Sequence, residues 1–417
     1  MSDGPLYPRL FAAVLFTAAA AAAAEPNPPS QSPARALASF ARSMLGANQG
    51  VYVEAADGTV LLAQAADRPV HPASVSKVPT TLALLRRLGP DYRFTTTFLA
   101  AGRIHDDTLE GDLVVAGDDD PYFVDENALL VTERLNELGL RHVTGGLRAQ
   151  SPLTFDWQPD EGAVRLQKVM SGQAPAPAWN AVRSLSAGDV APPALRIDGT
   201  SVAAAAAGAA DAAPAQPLLV HRSQTLVELA KQLNDYSNNV FKPLADAAGG
   251  AAAVEALARS AVPPAMRTEI SLGDGAGTDA RNRLSPRAAV KLLRALEQEL
   301  AHGGRRLVDI LPVAGIDAGT LHDRLNAPDQ AGRVVGKTGT FGDYGASALI
   351  GALPTSDRGT VYFAILNHGV PVPIARRRQD RFVAALLARL HSLPWEYQPD
   401  TRPAIARALV CPAAAPR

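Results

Sequence analysis

The sequence predicts an α/β fold of the segregated (α+β) kind, an antiparallel sheet flanked by helices and split by an inserted smaller domain. Three observations predict it. Strand-like runs cluster near both ends of the chain, with helical periodicity between and after them, an order that does not suit a doubly wound parallel sheet. The 417 residues exceed what one hydrophobic core usually organises, so a second lobe is expected. A stretch from Ser151 to Pro217, poor in large apolar residues and rich in Ala, Gly and Pro, interrupts the periodic segments and predicts irregular or weakly packed structure.

Taken in order, the chain begins with an apolar run, Leu10 to Ala24, preceded by Arg9 and followed by Glu25-Pro26-Asn27-Pro28-Pro29. The run is short for a membrane span, and Ala22-Ala23-Ala24 offers a small-residue cleavage site. Residues 1–24 are therefore expected to be a secretory signal rather than a strong membrane anchor, and residues 25–35 a spacer. Ala36 to Gly46 has helical spacing. Val51 to Glu54 and Thr59 to Leu62 flank Asp57-Gly58 and read as a hairpin. From Ser74 to Leu88 strand alternation is absent, and Leu82, Leu85 and Leu88 fall on one side of a helix. Pro79 lies near its start, where proline is tolerated, which puts Ser74 at a helix N-terminus.

Phe94 to Val115 reads as short strands separated by Gly102 and Gly111, followed by a solvated acidic loop at Asp118 to Asp120. Asn127 to Leu138 is helical, and Val143 to Leu147 a further strand. Thr225 to Leu244 reads as a helix interrupted around Asp235 to Asn239. Helices are expected at Ala251 to Ser260, Ala288 to Leu300 and Arg378 to Leu390, with strands at Val334-Val335, Ala346 to Ala352 and Thr360 to Leu366. The resulting organisation is a main domain of 36–104 and 217–395, an insertion of 105–216 and a tail of 396–417.

Composition excludes several function classes. Forty basic residues against 41 acidic give a net charge of −1, which favours neither nucleic acid nor an anionic membrane as partner. A single cysteine, Cys411, excludes an internal disulfide framework. The eight histidines show no paired ligand spacing, and Gly273, Gly275 and Gly277 lack the spacing of a phosphate turn, so neither metal nor nucleotide cofactor is expected.

Three short motifs occur in order: Ser74-Val75-Ser76-Lys77, Ser237-Asn238-Asn239 and Lys337-Thr338-Gly339. A serine three residues before a lysine on a helix shares its face, so the amine can take the hydroxyl proton. Of the six lysines only Lys77 has a serine three positions earlier. Ser237 and Asn239 point the same way in an extended segment, where the hydroxyl can relay a proton and the carboxamide can orient an acyl group. Lys337 and Thr338 at a strand edge can hold a carboxylate, and Gly339 leaves room for close approach. Tyr236-Ser237-Asn238 also fits a Y-x-N pattern, but the register favours Ser237 with Asn239.

Together these motifs are the known signature of class A β-lactamases and penicillin-binding proteins. The chain resembles more narrowly the penicillin-binding protein four type, the D-alanyl-D-alanine carboxypeptidase/endopeptidases. The long separation of Lys77 from Ser237 carries this, with Gly111-Asp112-Leu113, Gly117 to Pro121, Asp274 to Gly277, Asn282 to Pro286, Leu311 to Asp317, Gly319 to Leu321 and Gly332 to Thr340. The resemblance implies a transpeptidase-like main domain and a Ser74 acyl-enzyme. It also implies Lys77 as base, kept neutral by nearby Lys337 and partial burial, with Ser237 and Asn239 as catalytic partners and Lys337, Thr338, Gly339 and Thr340 around the substrate. Implied partners are peptidoglycan peptides and β-lactams in the bacterial periplasm or envelope. Where such enzymes often carry an acidic residue after a strand like Gly146 to Ala149, this chain has Gln150 and Ser151. A β-lactamase or esterase on the same fold, and a catalytically weak peptidoglycan-binding protein, are the alternative readings.

Overall fold

A computed structural model describes residue 1 and residues 33–158, 161–185, 191–203, 215–236, 241–342, 345–400, 402 and 404–413. The expected signal segment, Ser237, Asn238, Asn239 and most of the Ala203 to Ala207 run lie outside the described residues.

Five strands form the main sheet in the order Val335–Phe341, Ala346–Thr355, Gly359–His368, Gly50–Ala55 and Val60–Gln64, each antiparallel to its neighbour. Successive side chains on a strand point to opposite faces, and here both faces are buried. Val51, Val53, Leu349, Leu353, Phe363 and Ile365 pack against helices Pro33–Leu45 and Val372–Arg389. Tyr52, Ala348, Ile350, Ala364 and Leu366 face a larger core that holds Lys77–Leu88 and Pro286–His302. Burial on both sides explains why Ala346 to Ala352 reads as a continuous small and apolar run rather than an alternation. The expected antiparallel sheet with flanking helices is therefore the architecture observed, and most helices and strands begin or end within a few residues of where periodicity put them.

A second, mixed sheet has its own core. Its order is Leu409–Pro412, Gln216–Arg222, Thr95–His105, Thr108–Gly117, His142–Val143 and Arg196–Ile197, with Leu147–Ala149 paired to Thr108–Gly117. The boundaries expected at 105 and 217 fall inside or beside two paired strands of this sheet, and part of the expected tail is its edge strand. Gly102 and Gly111 do not break the strands as expected. They sit opposite each other, and a Cβ on either would overlap the facing backbone at Glu110 or Ala101. The region after Ser151 is also better packed than its composition suggested. Leu166, Val169 and Met170 share one face of helix Gly162–Met170 and join Phe155, Val182 and Leu195 in a closed core, so a few large residues at helical spacing suffice. The acidic loop is likewise not simply solvated. Asp118 accepts from Tyr92 Oη at 3.1 Å, Asp119 accepts from Thr154 N at 2.6 Å, and Asp120 is buried.

Main sheet and helix Pro286–His302 are tied by one buried acid. Glu54 accepts from Lys291 Nζ at 2.6 Å, from Tyr52 Oη at 2.7 Å and from Arg294. Burial raises its pKa, but the Lys291 and Tyr52 hydrogen bonds and the two cations outweigh this, and the net direction is downward. A depressed carboxyl contributes stability above its unfolded pKa and loses it as pH falls through the folded one. Glu54→Ala is expected to cost about 2–4 kcal/mol, measured as a lowered urea midpoint at pH 7, with the difference from wild type shrinking below pH 4.

Candidate active site

The nucleophile turn is held in an unfavourable shape by its surroundings. Ala73 has φ +50°, a left-handed conformation that costs an alanine about 1 kcal/mol or more. His71 Nδ1 accepts from Ala73 N at 3.1 Å, so Nε2 carries the hydrogen and donates to Asp279 O at 3.0 Å, while the ring stacks on Phe341 at 4.0 Å. Two glycines close in from either side. Gly277, at φ +91°, has no room for a Cβ, which would overlap Ala73 O and lie 2.8 Å from Ser74 N. Gly339 sits so close that its Cβ would overlap Pro72 O and stand 3.2 Å from Ser74 N.

Ser74 lies in a short 3-10 turn, Ala73–Ser76, that runs into the helix Lys77–Leu88. Lys77 Nζ donates to Ser74 Oγ at 3.2 Å, and both residues are buried. The ammonium rests over the Phe241 ring, 5.2 Å from its centroid. Burial lowers the Lys77 pKa to about 8, with the Asp274 charge opposing. Asp274 is itself clamped by Gly277 N, Thr278 N, Thr278 Oγ1 and Asn282 Nδ2, which fixes the loop that carries Gly277.

Lys337 is fully buried and reaches Thr338 O at 3.3 Å. Burial, then the Lys77 charge, lower its pKa to about 7, with Asp235 opposing. Of the two causes expected to keep Lys77 neutral, burial and the Lys337 charge, burial is the larger. Desolvation is the first cause of depression for both lysines, and the two ammonium groups disfavour each other's charge. Thr338 Oγ1 donates to Thr320 Oγ1 at 2.7 Å. Thr340 is exposed at the end of the same strand, and Arg376 Nη2 donates to its Oγ1 at 2.8 Å. That strand is the sheet's edge, so part of its backbone hydrogen-bonding capacity opens toward the nucleophile turn.

The third motif, Ser237 and Asn239, lies outside the described residues, but its flanks are placed. Helix Leu226–Asp235 starts at a capping box of Thr225 and Glu228. Lys231 on this helix donates to Val308 O, Leu311 O and Asp317 Oδ2, and Asp317 also accepts from Val313 N and Tyr397 Oη. Asp235 O accepts from Thr320 N at 2.9 Å, and Gly319, at φ +91°, lies against that carbonyl with no room for a side chain. The segment from Leu311 to Leu321 thus ties the helix before Ser237 to the strand of Lys337 through Thr320. Burial raises the Asp235 carboxyl to about 7, with Lys231 opposing.

The structure thus brings Ser74, Lys77, Lys337, Thr338 and Gly339 together, with Thr340 one step along the strand. Sequence reasoning did not single out His71, Phe241, Asp235 or Arg376. Only His71 left a signal, as a histidine and proline just ahead of the serine. Among the described residues, no cluster of His, Cys, Asp or Glu could hold a metal ion. No described helix is long and apolar enough to cross a membrane.

A buried serine and lysine in contact, under the edge of an antiparallel sheet, set a hydroxyl beside an amine able to take its proton, the pairing of serine enzymes that use a lysine base. The chain belongs to the D-Ala-D-Ala carboxypeptidase 3 (S13) family, whose model matches residues 34–162 and 168–390. It is 27% identical to carboxypeptidase DacB of Mycolicibacterium smegmatis, over 90% of this chain and 93% of that one. Its fold is similar to that of a penicillin G-acylated predatory endopeptidase from Bdellovibrio bacteriovorus, with TM-score 0.73 and 22% identity over 85% of this chain and 96% of that one. Penicillin-binding protein 4 of Haemophilus influenzae has TM-score 0.59 and 18% identity, over 86% and 99% of the two chains. The expected family and fold are the ones found.

Two outcomes test the geometry. Gly339→Ala is expected to push the edge strand off the nucleophile turn and slow acylation of Ser74 at least tenfold while thermal melting changes little, read by penicillin-binding kinetics and calorimetry. With neutral Lys77 as the active form, the acylation rate constant is expected to rise with pH and level off above about 8, seen in a stopped-flow pH profile.

Proposed function

We propose that this serine peptidase is a D-Ala-D-Ala carboxypeptidase, acting also as an endopeptidase on cross-links, that works on peptidoglycan stem peptides through an acyl-enzyme on Ser74. The observation that carries it is the 3.2 Å contact between a buried, pKa-depressed Lys77 and the Ser74 hydroxyl. Supporting it are the carboxypeptidase DacB of M. smegmatis and the Bdellovibrio endopeptidase in its penicillin G-acylated form.

In this reading Lys77 takes the Ser74 proton as Oγ attacks the carbonyl of the penultimate D-Ala. The developing oxyanion is held by the backbone N–H groups of Ser74 and Thr340, donors commonly worth about 3 kcal/mol each. Ser237 passes a proton to the leaving nitrogen, so that D-Ala departs as a neutral amine, and Asn239 positions the acyl chain. Lys337, Thr338 and Thr340 hold the terminal carboxylate, and Gly339 keeps that strand within reach of Ser74. Water then attacks the ester, the proton returns to Ser74, and the shortened peptide leaves. A penicillin acylates Ser74 by the same route. The apolar run Leu10 to Ala24 supports export to the periplasm or envelope, where this substrate is found. We assign the chemistry to the unit built on the five-stranded sheet.

The test is labelling by a fluorescent penicillin. Wild type is expected to label and Ser74→Ala not to; an unlabelled wild type, or a labelled Ser74→Ala, refutes the acyl-enzyme. Release of D-Ala from a stem pentapeptide then separates a peptidase from a binding protein. Loss of label within seconds marks a β-lactamase instead.

A further inference from the structure

The net charge of −1 conceals an uneven distribution. Helices Pro33–Leu45 and Val372–Arg389 lie side by side over one face of the main sheet, where Phe40 stacks on Phe382 with ring centroids 5.9 Å apart. The first helix carries Arg35 and Arg42 and no acid. The second carries Arg376, Arg377, Arg378, Arg381 and Arg389 against a single acid, Asp380, which is paired with Arg324. Its buried stripe runs through Ala375, Gln379, Phe382, Val383 and Leu386, so Arg377 and Arg381 stand on the opposite side and are exposed. Among the described residues Arg42, Arg377, Arg378 and Arg381 make no ion pair. Like charges four residues apart weaken a helix, and nothing within the chain compensates them here.

A groove opens in the same face, at the end of the second helix that lies away from Thr340. Its volume is about 590 Å³, and it is walled by Leu37 of the first helix, Leu386 and Leu390 at the end of the second, and Val60 and Leu61 of the strand Val60–Gln64. Sites that take an organic ligand typically measure about 300–1,000 Å³. Val60 is half exposed. Arg389 also lines the groove, with its guanidinium 4.3 Å from the Phe40 ring centroid and no acid beside it, whereas Arg358 lies 3.6 Å from Asp357. A soluble polyanion would use the arginines and leave the groove empty. A bilayer offers both halves of the match, anionic headgroups for the arginines and acyl chains for the leucines and valine.

We propose that the arginine face of these two helices docks the protein on a bilayer containing anionic phospholipid, with an acyl chain entering the groove beside Arg389. The contact is a reversible surface one, distinct from a membrane span. It goes beyond the peptidase reading and does not depend on it.

The test is co-sedimentation of the full chain with vesicles of phosphatidylcholine alone and of phosphatidylcholine mixed equally with phosphatidylglycerol. Acyl chains that the apolar run Leu10 to Ala24 could meet are common to both vesicles, so the readout is the ratio of the two affinities. A basic residue at an anionic leaflet is worth about fivefold in binding, so wild type is expected to favour the anionic vesicles at least tenfold at low salt. That preference should vanish at about 1 M salt, where the screening length falls to about 3 Å. The double variant Arg377→Glu with Arg381→Glu should lose it at low salt, while melting and penicillin labelling stay as in wild type, because both side chains are exposed and outside the site. Val60→Asn keeps the charge and is expected to weaken vesicle binding about fivefold or more, with binding to inorganic polyphosphate unchanged. Equal binding of wild type to both vesicles, or a preference that survives in the double variant, overturns the proposal. So does a Val60→Asn chain that binds vesicles as wild type does, since the arginines then serve a soluble polyanion and no acyl chain enters the groove.

Discussion

Two lysines are buried in one site, and much of the surrounding structure serves to hold them there. A buried ammonium is costly, and two neighbouring ones cost more. Lys77 is partly compensated by the Phe241 ring beneath it and by the Asp274 charge, and Lys337 by the Asp235 charge. Neither acid forms a direct ion pair with its lysine among the described contacts. A tight pair would fix each amine in the charged form, whereas the more distant charges leave both close to losing a proton. Direct pairing would stabilise the fold and disable the base.

Placement of that base depends on backbone more than on side chains. Gly339 and Gly277 let two chain segments press against the turn that holds Ser74, and His71 completes the clamp on Ala73. The segments that flank the three reactive motifs in sequence then acquire physical roles. Asp274 fixes the loop of Gly277, Asp317 receives Lys231 behind the helix that leads to Ser237, and Gly319 with Thr320 joins that helix to the strand of Lys337. Strain of about a kilocalorie per mole at one alanine is small, but it persists because several contacts would have to move together to relieve it.

Much of this was legible in the sequence, for reasons that differ between elements. The helix from Lys77 and the strands around Ala346 and Thr360 were readable because periodicity and apolar runs report burial directly. Ser74, Lys77 and Lys337 were readable because few lysines occur and the motifs stand in order. The packing of the region after Ser151 was not, since average composition hides the few large residues that fill a small core. Gly102 and Gly111 read as breaks in the sequence because a glycine that ends a strand and one that lets two strands touch look alike until the pairing is known. Asp235 is invisible for a simpler reason: it meets Thr320 and the Lys337 charge across a sequence distance that no local pattern records.

The cross-chain pairing of strands has a kinetic consequence. Gly50–Ala55 pairs with Gly359–His368, and Leu409–Pro412 closes the edge beside Gln216–Arg222, so both sheets need partners from the last part of the chain. Contacts between segments so far apart in sequence, from Gly50 to Leu366 in one sheet and from Arg222 to Leu409 in the other, raise the contact order and delay the steps that make them. Neither sheet is complete until nearly the whole polypeptide has emerged. The early hairpins can pair locally, but Gly50–Ala55 keeps one edge open until Gly359–His368 arrives, and the serine and its base meet their lysine-bearing strand late. A chain built this way gains its chemistry late.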